Sequence, residues 1–520
     1  MKTKNKKFVQ MYEVQIICAF IVITSLLLML RYAGYRSLWF DDLATIGISG
    51  PGQSIREIVY NFMTEAHFNP PLFYVFAALW IRIAPFGTFW LLLPSILFVT
   101  LGMFFCGLIA GKICGNRASI FTTIIASLSW WLILAAGYTF RSYGLLFFLS
   151  ALCVYVYIIR LEKPQDIWKY VWIYGIASAL LVYTHYFGIL VIGFLFLCDV
   201  FILMRKKIIS IRHIISYVVC GVLFLPFFIP AVLYILRDRG SWFWPQPPGL
   251  QNVYSLFNNF VSNSGLITVF YMLGLAFCIA ISFWSYAKKY MNIVWNNSFV
   301  HIILVVKVFF VIGVVYLYSR FINPSGSVFV YRYFIVILPH ILVVSGVGLA
   351  YAFELCLSDK SSQVKRIAMF ILSFVMIMWL GRHALYEVNR HANTINQPYE
   401  QAANWIFEHE YSHNSDSIVL VRVHARGFSY YVTHGWQRPS LNLADVGLPI
   451  FLNRLNYKYN YTFTEENHWD WNTVYVFYGH HTAILPVHVS RILNTYFELV
   501  EEHREQGWRR SIYVYKRIQN

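Results

Sequence analysis

PPLFYVFAALWIRIAP, residues 70–85, is the stretch on which the architecture turns. A proline pair opens it and Pro85 closes it, leaving about fourteen residues where a helix needs about twenty to cross roughly 30 Å of hydrocarbon. It therefore reads as an interfacial or re-entrant helix and not as a span. If it did cross, every later loop would change sides, so the charges on either side of it test the reading.

Runs long enough to span fall near 12–31, 90–111, 118–137, 143–159, 169–186, 187–204, 213–236, 265–286, 299–318, 333–355 and 366–384, about eleven in all. With 71–84 left uncrossed, one side collects Lys2, Lys4, Lys6 and Lys7, then Lys112 and Arg117, Arg160 and Lys163, Lys206, Lys207 and Arg212, Lys288 and Lys289, and Lys360, Lys365 and Arg366. Cytoplasmic loops carry the excess of Lys and Arg, so this side is inside, together with the N-terminus. The chain after about residue 385 then lies outside, and the expected location is the cytoplasmic membrane.

The composition agrees. Of 520 residues, 58% are hydrophobic and only 12% charged, with a mean hydropathy of +0.55, which excludes an ordinary soluble domain. A net charge of +17 raises the possibility of nucleic acid, but the cations stand in short clusters between apolar runs, and membrane orientation accounts for them. No nucleic-acid partner is expected. No cysteine follows Cys356, so the C-terminal part has no disulfide framework or Cys-based zinc site. The N-terminal MKTKNKK leads into an apolar run without a small-residue cleavage site and reads as a retained first span.

Two domains follow: a transmembrane domain over 1–395, with a first external loop over 32–89, and an extracytoplasmic domain over 396–520. In the second, PYEQAANWIFEHE (398–410) and ILPVHVSRILNTYF (484–497) have helical periodicity, while SIVLVRV (417–423) and WNTVYVFYG (471–479) read as strands, giving a small α/β domain.

Chemistry is sought in the external segments. SLWFDDLATIG (37–47) places Asp41 and Asp42 just beyond the first span. Asp42 can cap a helix beginning at Leu43. Alternatively, one of the two carboxylates takes a proton from an acceptor hydroxyl as that oxygen attacks. In EAHFNPPLFY (65–74), Pro70 and Pro71 suit a helix start, and His67 either sits at the interface or bonds a phosphate or hydroxyl. Arg141, Arg237, Arg239, Arg320 and Arg332 lie outside, where the charge rule disfavours them. Each alone can snorkel to headgroups; together they point to an anion site, because a guanidinium fork matches phosphate oxygens. His185-Tyr186 falls at a junction between spans, where a packed aromatic corner is the alternative.

LWFDDLATIG, HFNPPLFY, FRSYGLLFFLSAL, LVYTHYFG and YRYFIVILPHILVVSGVG, in that order, resemble the motif succession of the family 39-like branch of the GT-C glycosyltransferases, which includes protein O-mannosyltransferases and lipid A aminoarabinose transferases. The resemblance runs over roughly residues 10–450. It implies a polytopic α-helical GT-C fold of about eleven spans with interfacial helices, a polyprenyl-phosphate-linked sugar as donor, an external active site and acids in the first loop. Carried over, Asp41 matches the base and Asp42 its acidic neighbour, although many members have Asp-Glu there. His67 with Pro70-Pro71 matches a His-Pro-Pro-Leu segment, interrupted here by Phe68 and Asn69. Arg141 with Tyr143, His185 with Tyr186, and Arg332 with Tyr333 match positions that line the donor phosphate and sugar. The implied reaction is a direct displacement with inversion, toward a glycan, lipid or protein acceptor, and no metal or other cofactor is expected.

His409-Glu-Tyr-Ser-His413 has the spelling of a zinc-protease helix, but Asn414, Ser415 and Asp416 signal a turn that ends the helix before His413 shares its face. A chance match explains it better, and His480-His481 lacks usable spacing. A polyprenyl-lipid transporter or flippase stays open as an alternative; it would call for intramembrane charge relays, and the sequence reads as sparse in them.

Overall fold

The computed structural model describes residues 2–34, 38–50, 54–64, 70–85, 87–162, 167–206, 211–238, 245–261, 280, 297–358 and 363–393, then 405, 417–422, 442–445, 472–478, 487–503 and 511–518. In chain order the helices are α1 (Lys2–Tyr32), α2 (Phe40–Ser49), α3 (Ile55–Thr64), α4 (Leu72–Ile83), α5 (Thr88–Cys114), α6 (Asn116–Ser127), α7 (Trp130–Leu132) and α8 (Tyr143–Glu162). There follow α9 (Ile167–Thr184), α10 (Phe187–Lys206), α11 (Ile211–Asp238), α12 (Leu250–Val261), α13 (Asn297–Leu317), α14 (Leu338–Ser358), α15 (Gln363–Asn393) and α16 (Val487–Tyr496).

The protein is a multi-pass membrane protein. Among the described residues seven helices are long and apolar enough to cross a membrane, or eight if one pair bent by 53° counts as a span. That pair is α6 with α7 and the π turn Ile133–Gly137 that continues it, where the sequence reads as one unbroken run. α9 and α15 are helical where spans are expected, and the run at 265–286 lies almost wholly outside the described residues. α4 is a twelve-residue apolar helix, too short to span, in keeping with the proline-bounded stretch.

The chain divides into two compact units: Met1–Arg31, Arg56–Val75 and Leu93–Val388 in the first, and Tyr32–Ile55, Phe76–Leu92 and Asn389–Asn520 in the second. Small residues set how closely helices approach in the first unit. Lipid gives no hydrophobic drive between helices, so their association depends on close packing and interhelical hydrogen bonds. Gly107 and Gly111 of α5 face Thr123 and Ser119 of α6, and the Ser119 hydroxyl donates to the Gly107 carbonyl at 2.8 Å. Gly115, at φ +83°, makes the tight turn that joins these two helices, a conformation that costs glycine little. Further along α6, Thr122 packs against Gly346 of α14 so closely that a Cβ on Gly346 would lie 2.6 Å from the Thr122 Cα.

The first unit also encloses charge. Arg160 of α8 and Asp199 of α10 form an ion pair with both side chains 0% exposed. Tyr157 and Tyr217 each donate to Asp199 at 2.8 Å, and Arg160 donates to the Ser216 hydroxyl at 2.7 Å and the His213 carbonyl at 3.1 Å. Arg160 is thus no solvated loop cation: its charge is neutralised between helices. Lys307 of α13 is likewise fully buried. Intramembrane charge is therefore less sparse than the sequence reading held, because an Arg at a span end and a single Asp within an apolar run do not announce that they meet.

In the second unit a five-stranded sheet forms from β1 (Ser417–Arg422), β2 (Asn442–Asp445), β3 (Thr473–Tyr478), β4 (Phe497–His503) and β5 (Ile512–Arg517), in the order β2-β1-β3-β5-β4. β1 runs parallel to β2 and β3, while β5 is antiparallel to β3 and β4. α16 covers it: Val489, Ile492 and Leu493 bury against Val474, Val476 and Phe497. β1, β3 and α16 stand where the sequence places them. Of the expected helix at 398–410, only residue 405 lies within the described residues.

Candidate active site

In the first unit, three chain segments bring their polar and aromatic side chains to one place. The first is the turn leading into α8, with Arg141 and, as first helical residue, Tyr143. Gly144 lets this end of α8 come close to α5, since a Cβ there would meet the Ser95 carbonyl at 2.8 Å. The second is the two-residue turn His185–Tyr186 between α9 and α10, kept tight by the Gly188 N–H donating to the His185 carbonyl at 2.8 Å. The third is the 3-10 helix Tyr331–Ile337 that leads into α14.

The His185 and Tyr333 rings lie 4.8 Å apart, and Tyr143 is 6.5 Å from each. The Arg332 guanidinium stands 6.0 Å from the Tyr143 ring centroid, within cation–π range. Phe187, which the sequence reading did not single out, packs edge-on against Tyr333 at 5.6 Å and against His185 at 5.3 Å. Its main-chain N–H, one of the donors that a helix start leaves without an intrahelical acceptor, donates to His185 Nδ1 at 3.2 Å. Burial, and then the positive charge of Arg141, push the His185 imidazole down to about 3. It is neutral in any ordinary working range.

The structure thus gathers Arg141, Tyr143, His185, Arg332 and Tyr333. Tyr186 instead stacks on Phe227 of α11 at 6.3 Å, the aromatic corner that the alternative reading held for this pair. Arg320 is exposed in the middle of the π turn Tyr318–Ile322. Arg239, the side chain of Arg237, His67, His409–His413 and His480-His481 lie outside the described residues.

Asp41 and Asp42 belong to the second unit. Their helix, α2, begins at Phe40, three residues before the start read from the sequence, because a carboxylate in the first turn can satisfy a free N–H. Asp42 Oδ2 accepts the Trp39 N–H at 2.9 Å, and the Asp42 N–H donates to the Trp39 carbonyl at the same distance. This is the reach-back half of a capping box. Asp42 is 2% exposed, whereas Asp41 is half-buried and its carbonyl accepts the Thr45 hydroxyl at 3.1 Å. Both acids also sit in the first turn, where the helix dipole favours negative charge.

No protein-family model matches the chain, and no curated protein matches it by sequence. Solved structures do resemble it. ArnT from Cupriavidus metallidurans in the apo state has a TM-score of 0.57 at 13% identity, over 95% of this chain and 97% of that one. The same protein bound to undecaprenyl phosphate gives 0.55 at 12% identity over the same shares. The archaeal oligosaccharyltransferase AglB from Archaeoglobus fulgidus, in complex with an inhibitory peptide and a dolichol-phosphate, gives 0.54 at 12% identity, over 91% of this chain and 70% of that one. These likenesses give the chain the fold of the GT-C glycosyltransferases.

Proposed function

We propose that the protein is a membrane glycosyltransferase that moves a sugar from a polyprenyl-phosphate donor to an acceptor hydroxyl on the outer face of the membrane. The observation that carries the reading is the convergence of Arg332, Tyr143, His185 and Tyr333 from three segments of a bundle with the GT-C fold. Guanidinium groups complement phosphate oxygens and offset the charge that grows on a departing phosphate. That two of the similar structures are bound to a polyprenyl or dolichol phosphate supports the donor class.

In this reading Asp41 takes the proton of the acceptor hydroxyl as that oxygen displaces the phosphate from the anomeric carbon, with inversion. Asp42 holds the start of α2 and so fixes where Asp41 stands. His67 completes the donor site, while Tyr186 packs against Phe227 at its edge. The transmembrane domain over 1–395 carries the chemistry, and the domain over 396–520 faces the same side as the acceptor. The N-terminus lies inside, the membrane is the cytoplasmic one, and the acceptor is a glycan, lipid or protein hydroxyl.

One observation favours transport as a second reading: charge buried between spans, at Arg160–Asp199 and at Lys307. The Arg160–Asp199 pair is enclosed by tyrosine hydroxyls and a serine, an arrangement suited to holding helices together more than to passing protons. Polyprenyl-phosphate sugar, labelled in the sugar and supplied to the protein in vesicles, separates the readings. Label that leaves the lipid supports transfer, and label that crosses the bilayer still attached to it supports a flippase. Label that stays on the lipid and on its own side, with peptide cleavage lost in Glu410→Ala, would leave the protease.

A further inference from the structure

The proton of His185 has a fixed address. An imidazole nitrogen that accepts a hydrogen bond carries no proton, and Nδ1 accepts the Phe187 N–H, so in the neutral ring the proton sits on Nε2. Nε2 is buried and has no hydrogen-bond partner among the described residues. A buried donor left unmade is costly, and so it marks a place where an acceptor binds. Among the described residues, the charged and titratable groups around this ring are Arg141, Tyr143 and Tyr333, with Arg332 beyond Tyr143, and none of these is a carboxylate.

We infer that His185 acts as a neutral, tautomer-locked hydrogen-bond donor to the leaving phosphate of the donor lipid and takes no proton in the reaction. The inference rests on the glycosyltransferase reading and deepens it: a corner that offers guanidinium and Nε2–H donors suits an oxygen with no hydrogen to give, as on a phosphate ester, better than a hydroxyl awaiting deprotonation. Phe187 is then a positioning residue that acts through its main chain. Its N–H decides which ring nitrogen presents the proton.

Two amide substitutions separate the roles of the two nitrogens. A glutamine amide can reach the place of Nε2, and an asparagine amide the place of Nδ1. Binding of farnesyl phosphate, with farnesol as uncharged control, is measured on the purified full chain in nanodiscs. His185→Gln is expected to bind within about threefold of wild type. His185→Asn is expected to lose about 10- to 100-fold, the scale of one hydrogen bond to a charged group. Wild type and His185→Gln are expected to share one pH profile between 5.5 and 8, set by the phosphate of the probe alone. The inference is overturned if Asn preserves binding and Gln abolishes it, which would reduce His185 to its contact with Phe187, or if wild type shows a titration step that His185→Gln lacks. If wild type binds farnesol as well as farnesyl phosphate, the phosphate reading itself falls, and this inference with it.

Discussion

Arg160 and Asp199, thirty-nine residues apart in the chain, are joined in an ion pair sealed from solvent between α8 and α10. The Tyr174 ring lies 4.4 Å from the guanidinium carbon, Tyr157 lies at 5.0 Å and Tyr217 at 5.5 Å, so α9 and α11 contribute to the same cluster. Removing one partner strands the other in a medium that cannot solvate it, at a cost of about 3–5 kcal/mol. Arg160→Met should therefore lower the unfolding midpoint in detergent sharply. Arg160→Met combined with Asp199→Leu should recover most of the loss, because the uncompensated charge is gone. A folded double variant that still moves labelled sugar would assign the pair to structure; one that folds but is inactive would give the charge a part in function.

Asp41 and Asp42 should respond differently although they are neighbours. Asp41→Asn keeps the shape of the side chain and removes its capacity as a base, so transfer should fall by about 100- to 10,000-fold while folding and lipid binding hold. Asp42→Ala loses the acceptor of the Trp39 N–H and should cost about 1 kcal/mol in stability. Transfer rates beside melting curves decide the matter. Full activity in Asp41→Asn would remove it from the proposed role.

Much of this was legible in the sequence because the bilayer enforces a coarse rule: an apolar run of sufficient length becomes a helix. The proline bounds of α4 are equally coarse. What stayed hidden depends on neighbours in space. The 53° bend between α6 and α7 falls inside a run that keeps its hydropathy throughout. Asp199, inside LVIGFLFLCDVFILM, was the available signal for the buried pair, since an acid in a span is rarely left alone. Arg141 and Arg332 drew notice because the topology expected from the sequence puts them where the charge rule disfavours arginine, but the tautomer of His185 depends on a main-chain N–H and has no letter of its own. In the second unit β1 and β3 are apolar enough to be read as strands, whereas β4, FELVEEH, is largely exposed and acidic and gives no such pattern.

Gly346 tests whether close packing sets the spacing of α6 and α14. A methyl group there would press into the backbone of Thr122, which cannot swing aside as the end of a flexible side chain can. Overpacking of this kind costs about 1–3 kcal/mol. Gly346→Ala should lower the unfolding free energy by that amount, read as a lower unfolding midpoint, and Thr122→Ala should not rescue it fully, since the Cα of residue 122 remains 2.6 Å from the new carbon. Unchanged stability in Gly346→Ala would mean that the helices part at little cost.

His185 makes stability depend on pH in one direction. In the folded chain its imidazole is held down to about 3, against 6.5 as its ordinary value, so below 6.5 the unfolded state binds the extra proton and the folded state does not. Its contribution is therefore complete above 6.5 and drains away as the pH falls toward 3. By pH 5 the loss is ~2 kcal/mol, one and a half pH units at about 1.4 kcal/mol each. His185→Gln cannot take up that proton, so the gap in unfolding midpoint between wild type and variant should narrow, or reverse, from pH 7.5 to pH 5. Parallel curves for the two proteins would show that the imidazole is open to solvent and protonates freely, and the neutral donor would lose its physical basis.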